Sequence, residues 1–228
     1  GAGTAMDAYN VAFRIPNLLR DLFAEGAMTA AFVPAFTRTI QQRGREHAWR
    51  LGSLVINALL VITGTLAIAG MVFAGPITSL IAPKFAQVPG KLELTTLLTQ
   101  VMLPFLTTVA VAAAMMGMLN SLHRFFIPSL SPATFNLATI LCAITLVPVM
   151  RAIGWPDILA IAIGTLLGGI GQIAIQWPVL RREGFHYRPV LDFKDPELRQ
   201  ILRMMGPGTL GVAAVNINVL VNTYLAAA

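Results

Sequence analysis

Ionisable side chains interrupt an otherwise apolar stretch near the start of the chain, at residues 6–36. The charged residues in it are Asp7, Arg14, Arg20, Asp21 and Glu25. Charges are costly in hydrocarbon, so those within a membrane-crossing segment mark a binding cavity or a transport pathway by default. Arginine carries a permanent charge and a planar array of N–H donors, which suits a diphosphate or a carboxylate. The stretch therefore predicts a cavity for an anionic ligand.

The spacing of these residues predicts one polar helical face. Asp7 and Arg14 are seven residues apart, so they share a face of an α-helix. Asn17 and Asp21 continue that face at spacings of three and four residues. A helix that keeps its polar groups on one side can pack its other side against protein.

Arg20 lies about a third of a turn from that face on an ideal helix. Pro16 disrupts the helical hydrogen bonds, so this angle is not fixed by the sequence. Two interpretations stay open. In one, the arginines bind an anion. In the other, Asp21 neutralises Arg14 and Glu25 neutralises Arg20, or these side chains reach the lipid headgroups.

No group of residues in the sequence is typical of an enzyme. His47, His123 and His186 fall in or beside separate polar connections, without the Cys or carboxylate spacing of a metal site. No GxxxxGK[ST] motif is present to bind a nucleotide phosphate. We expect no catalysis, no cofactor and no metal.

The composition indicates a membrane protein. Of the 228 residues, 56% are hydrophobic and 11% are charged, with a mean hydropathy of +0.73. Soluble domains carry about 25% charged residues. The net charge of +6 does not indicate nucleic-acid binding, because the basic residues lie in short segments between apolar runs, where membrane topology places them.

The apolar runs predict an all-α, polytopic fold with six transmembrane helices. A span needs about 20 residues, and uninterrupted runs favour helices over a barrel. The predicted spans are about 6–36, 51–75, 94–122, 126–150, 157–180 and 206–228. The first is expected to be a broken helix that faces protein or water. Asp195 is a plausible N-cap for an amphipathic helix in the polar connection before the last span.

Basic residues predict the orientation, since they accumulate in cytoplasmic connections. Eleven fall on one side, at Arg38, Arg43, Arg45, Arg50, Arg124, Arg181, Arg182, Arg188, Lys194, Arg199 and Arg203. Three fall on the other, at Lys84, Lys91 and Arg151. Both ends of the chain are then on the outer side. The chain starts in a loop end and stops within an apolar run, so we expect it to be part of a larger protein.

Several stretches resemble one transporter family. The segment DAYNVAFRIPNLLR at 7–20, with DLFAEGA at 21–27, resembles the second transmembrane helix of the MurJ (MviN) lipid II flippases. LNSLHRFFIP at 119–128 and the Gly-Pro pair at 206–207 support the match. This family belongs to the MOP exporter superfamily.

The resemblance implies a fold of two six-helix lobes and a C-terminal helix pair. Residues 1–205 would form an incomplete N-terminal lobe, holding helices two to six, and 206–228 the truncated first helix of the second lobe. The family moves lipid II, an undecaprenyl-diphosphate-linked peptidoglycan precursor, from the cytoplasmic to the periplasmic leaflet by alternating access. It implies a multi-pass protein of the bacterial inner membrane that acts as a monomer in full-length form, and whose partners are lipid II and membrane lipids.

The resemblance also assigns residues to the cavity. Arg20 and Asp7 match cavity positions, and Arg14 and Asn17 lie close by. Glu25, with Asp21, is implied as a gating residue or charge partner. The family's first helix and nearly all of its second lobe are missing from this stretch, so it supplies only part of such a cavity.

Two kinds of rival function stay open. One is another transporter of the same superfamily, either an oligosaccharide-lipid flippase or a multidrug–cation antiporter. A drug antiporter should favour acidic cavity groups over Arg20. The other is a membrane scaffold that recruits cell-wall enzymes without transporting anything.

Overall fold

The computed structural model describes residues 2–20 and 28–205, and the regular elements in those residues are all helical. The α-helices are α1 (Ala2–Arg20), α2 (Met28–Arg43), α3 (Arg45–Val72), α4 (Ala74–Ile81), α5 (Lys91–Met102), α6 (Phe105–Ser121), α7 (Phe126–Ala152) and α8 (Ile158–Arg182). A 3-10 helix at Pro83–Gln87 follows α4, and residues 196–205 are also helical. The expected all-α fold is confirmed.

Within the described residues, four stretches are long and apolar enough to cross a membrane. They are Arg45–Val72, Lys91–Ser121, Phe126–Ala152 and Ile158–Arg182. Each begins and ends within six residues of an expected span. The expected broken span at 6–36 corresponds to α1 and α2, and the polar residues of α1 lower its hydropathy. The span at 206–228 lies outside the described residues.

Pro104 divides the second of these stretches into α5 and α6. The α5 helix ends at Met102 and α6 begins at Phe105. Proline has no N–H to continue the helical ladder, and its ring clashes with the preceding turn. The two helices therefore meet at a break.

Aromatic side chains from α2, α3, α8 and the connection after α8 fill the core at one end of the bundle. The ring centroids of Phe36 and Trp49 are 5.7 Å apart, and those of Trp49 and Phe185 are 5.4 Å apart. Trp177 packs edge-on to Phe185 at 6.0 Å. Phe185 is fully buried although it lies beyond α8, so the connection after α8 turns back onto the bundle.

Polar groups of α3 bind the backbone of that connection. The Asn57 side chain donates to the carbonyls of Arg188 at 3.0 Å and Val190 at 2.8 Å. The same side chain accepts a hydrogen bond of 2.5 Å from the hydroxyl of Tyr187. Ser53 Oγ accepts the N–H of Arg188 at 3.3 Å. The connection is thus fixed to α3 by its own backbone.

Ion pairs gather the residues assigned to the cytoplasmic side at this same end. They are Arg43–Glu197, Arg45–Glu183, Arg124–Glu183, Arg50–Asp195 and Arg188–Glu46. The opposite end holds the pairs Lys91–Asp7 and Arg151–Asp157. The basic residues of the two predicted groups that form these pairs therefore lie at opposite ends of the bundle.

A seam of glycines joins α7 to α8. A Cβ atom on Gly164 would lie 2.9 Å from Thr139 Cα, and one on Gly168 would lie 3.0 Å from Phe135 Cα. Only glycine allows two backbones to approach this closely. Elsewhere α7 is largely exposed, and only 11% of its most apolar 18-residue stretch is buried.

Candidate functional site

One side of α1 is polar and does not pack against the bundle. Its exposed residues include Asp7, Asn10 and Arg14, and Asn17 is partly exposed. These positions recur every three or four residues, so they form one stripe along the helix. We call Asp7, Asn10, Arg14 and Asn17 the polar stripe of α1. Three of them are predicted site residues, and the structure places them on one side of the helix.

Small residues on the opposite side hold α1 against the bundle. Ala8, Ala12 and Pro16 are buried, and Ala8 and Ala12 pack in a cluster with Leu98 and Leu159. Alanine at positions i and i+4 allows the helix axes to approach closely. The packing of α1 therefore depends on this small-residue side, which leaves Asn10 and Arg14 of the polar stripe exposed.

Aromatic contacts fix the rotation of α1 about its axis. The rings of Tyr9 and Phe13 stack with centroids 5.7 Å apart, and Phe13 stacks on Phe135 of α7 at 6.4 Å. The Tyr9 hydroxyl lies 3.1 Å from the Thr165 hydroxyl of α8, within hydrogen-bond distance. A helix held on two neighbours cannot rotate without breaking these contacts, so the direction of the polar stripe is determined.

Asp7 forms an ion pair with a lysine that the sequence analysis did not connect to it. Lys91 Nζ lies 2.9 Å from Asp7 Oδ2 and 4.0 Å from the centroid of the Phe85 ring. The Lys91 side chain is 11% exposed, whereas that of Asp7 is 59% exposed. The pair therefore presents its carboxylate outwards and its ammonium inwards.

The remaining predicted site residues lie at or beyond the end of α1. Arg20 is its last residue, and the side chain of Arg20 lies outside what the structure describes. Asp21 and Glu25 also fall outside the described residues. The alternative in which these carboxylates neutralise Arg14 and Arg20 stays open for that reason.

Asn10 is a second residue that the sequence analysis did not assign to the site. It lies between Asp7 and Arg14 on the polar stripe and is exposed. Asn10 is three residues from Asp7 and four from Arg14, which is the spacing of residues on one face of a helix. Asn10, unlike Lys91, could therefore have been found by extending the same helical periodicity.

The donor set of the polar stripe suits an organic anion better than a metal ion. In residues 2–20 and 28–205, no three His, Cys, Asp or Glu side chains come close enough together to hold a metal. A carboxylate, two amides and a guanidinium can instead donate and accept hydrogen bonds from a polar headgroup. The stripe is chemically able to bind a ligand that is both anionic and rich in hydroxyl or amide groups.

A family model described as lipid II flippase MurJ matches residues 1–228. The chain belongs to that family. A probable lipid II flippase MurJ from Rhizobium meliloti (strain 1021) is 37% identical over 240 residues, covering 100% of this chain and 43% of the relative. The corresponding protein of Vibrio cholerae is 33% identical, over 99% of this chain and 44% of its own length.

A solved structure described as lipid II flippase MurJ in an inward closed conformation has the same fold. It superposes with a TM-score of 0.69 at 25% sequence identity, over 95% of this chain and 43% of that structure. The chain thus spans less than half the length of the MurJ relatives it matches. The expected family is confirmed, and so is its class, that of multi-pass inner-membrane proteins associated with peptidoglycan synthesis.

Proposed function

We propose that the protein containing this chain is a lipid II flippase, and that this chain supplies the part of its cavity formed by the polar stripe of α1. The observation that carries the proposal is the exposure of Asp7, Asn10 and Arg14 on one side of a helix whose other side is packed. The family match supports lipid II as the substrate, since the relatives are named as lipid II flippases.

The physical argument concerns where charges are stable. A carboxylate and a guanidinium that face hydrocarbon would each cost several kcal/mol, about 2.5 to 3.5 on insertion scales. In a water-filled cavity they cost little and can bind a polar headgroup. We therefore assign the polar stripe to the cavity wall. Arg14, and Arg20 at the end of α1, attract the diphosphate of lipid II while its polyprenyl tail stays in the bilayer.

Transport requires a second wall of the cavity, which lies outside this stretch of sequence. We propose that residues 1–205 form most of the N-terminal lobe and that 206–228 begin the second lobe. Rocking of the two lobes would expose the cavity first to the cytoplasm and then to the periplasm. The full-length protein would act as a monomer, and its activity would be transport rather than catalysis.

Substitution of the cavity residues in the full-length protein tests the proposal. We expect Arg20→Ala and Asp7→Ala to abolish lipid II export and to fail to support growth when they replace the native protein. Arg38→Ala is the matched control, because Arg38 is an exposed arginine on α2. Export is measured as lipid II accessible at the outer leaflet, and protein levels in the membrane are compared.

The outcomes separate the rival functions. If Arg20→Ala and Asp7→Ala leave export and growth unchanged, the cavity assignment is wrong. If the protein is instead a scaffold, cells should stop growing when a substitution releases its partners. The purified unsubstituted protein should then show no detectable lipid II export in vesicles. Export of a different lipid-linked sugar, with none of lipid II, would favour another flippase of the superfamily.

A further inference from the structure

The geometry assigns to Lys91 a role as the positioning residue of Asp7, and this inference rests on the proposed function of the polar stripe. The Lys91 ammonium lies 2.9 Å from Asp7 Oδ2, and these two residues are 84 positions apart in the chain. They join the outer end of α1 to the first residue of α5. The pair is therefore a tertiary contact that fixes one member of the proposed cavity.

Lys91 does not benefit the helix in which it lies. It is the first residue of α5, after Gly90 in the left-handed conformation at φ 75°. The N-terminus of a helix carries a partial positive charge, so a cation there is unfavourable and an anion is favourable. A lysine at this position is consequently not explained by the stability of α5.

Burial makes the partner of Lys91 necessary. Its side chain is 11% exposed, and its ammonium lies against the Phe85 ring. A buried charge without a counterion is strongly destabilising. Among the described residues, the carboxylate within ion-pair distance of Lys91 is that of Asp7. Lys91 therefore holds this carboxylate at one place beside the proposed cavity.

The consequence for transport is specific. With Lys91 in place, the negative charge of Asp7 is balanced, so it does not repel a diphosphate, while its outward oxygen stays available to hydroxyl and amide groups of the substrate. Without Lys91, no described residue holds the carboxylate in this position, so it is free to turn away. Asp7 then no longer presents a fixed acceptor to the substrate, although the fold around it persists.

A double-mutant cycle on the full-length protein in lipid II-loaded vesicles measures this coupling. We expect Lys91→Met to slow export roughly tenfold, a coupling typical of two residues in one ion pair. In an Asp7→Asn background, Lys91→Met should cause no further loss. Lys91→Arg should restore most of the rate, because it keeps the cation. Lys84→Met is the control, since Lys84 is exposed in the same outer connection.

An exchange of the two residues separates positioning from simple cross-linking of α1 to α5. The double variant Asp7→Lys/Lys91→Asp keeps an ion pair and places an acidic residue at the α5 N-terminus, where it is favourable. We expect it to reach the unsubstituted level of folded protein in the membrane and to export lipid II no better than Lys91→Met. Recovery of export by the exchange would show that the pair is only structural, and the positioning role would be wrong.

The same data distinguish this inference from the proposed function. If Asp7→Asn itself leaves export unchanged, the cavity assignment of Asp7 fails and the positioning role fails with it. If Asp7→Asn slows export but Lys91→Met does not, or if their effects multiply, only the role of Lys91 is wrong. Should Lys91→Met accumulate poorly, Lys91→Arg and the exchange variant still decide the question, because both retain an ion pair.

Discussion

The side-chain amide of Asn57 donates a hydrogen bond of 2.8 Å to the carbonyl of Val190, 133 positions further along the chain. It also donates to the carbonyl of Arg188 and accepts from the hydroxyl of Tyr187. One buried amide thus satisfies three groups of a connection that has no secondary structure of its own there. The position of the segment after α8 is set from within α3.

Asn57→Leu should destabilise the protein by about 2 kcal/mol or more, because it leaves two carbonyls and a hydroxyl without their buried partner. The measurement is the thermal unfolding midpoint of the full-length protein in detergent. Asn136→Leu is the matched control, since Asn136 is exposed on α7. Equal midpoints for the two variants would contradict the role assigned to Asn57.

Gly168→Ala should destabilise the α7–α8 seam by about 1 to 3 kcal/mol, the usual cost of overpacking. The new Cβ would lie 2.7 Å from the Phe135 ring and 3.0 Å from Phe135 Cα, and the backbone atom cannot move cheaply. Gly171→Ala on the same helix is the control, because its nearest neighbours are atoms of Thr134 at 3.8 Å. That control should be neutral or slightly stabilising, since alanine favours a helix. Similar losses for both would show that the seam is not tightly packed.

Glu183→Gln should only modestly weaken the end of the bundle where Glu183 pairs with arginines. The Glu183 carboxylate pairs with Arg124 at 2.7 Å and with Arg45 at 3.9 Å, and both arginine side chains are 60% exposed. The Glu183 side chain is 15% exposed, but the arginines that the substitution would leave behind stay in water, so we expect these pairs to contribute about 1 kcal/mol or less and to be screened by salt. We expect a small fall in the unfolding midpoint at low ionic strength that disappears near 1 M salt, where the Debye length is roughly 3 Å. A loss that persists at high salt would indicate a packing role for Glu183 instead.

Arg14→Glu should abolish lipid II export, whereas Arg14→Lys should retain part of it. Reversing the charge on the polar stripe repels a diphosphate, while lysine keeps the charge and loses only the planar array of donors. Export by the full-length protein is the measurement, with membrane protein levels as a check on folding. Arg38→Glu, an equal change at an exposed site on α2, is expected to export normally. Export by Arg14→Glu at the unsubstituted rate would remove Arg14 from the cavity.

Hydropathy predicted the spans of α3, α5–α6, α7 and α8 closely, because lipid imposes one simple requirement on a long segment. The shared face of Asp7 and Arg14 was also predictable, since helical spacing depends only on local geometry. The N-cap at Asp195 was predictable for the same reason, because capping also depends only on local geometry. Its Oδ1 accepts the N–H groups of Glu197 at 3.0 Å and Leu198 at 3.2 Å.

The contacts that hold the candidate site were not predictable in this way. Lys91 was counted only as an outer charge, and its partner is set by how α1 packs against α5. Asn57 lies in an apolar run, where a single amide gives no signal of its distant partners. Both pairings join residues far apart in the sequence, and a single sequence contains no pattern that specifies them.

The exposure of α7 has a consequence for how this helix tolerates mutation. Its outward side chains include Leu137, Ile140 and Ile144, each more than half exposed, and its glycine-lined contact is with α8. In hydrocarbon, the permitted changes at such positions are from one apolar residue to another, and the forbidden ones are to charge. If every residue of α7 is substituted in turn, we therefore expect its exposed side to accept apolar residues and to reject charged ones. The exposed side of a helix in a water-soluble protein shows the opposite preference.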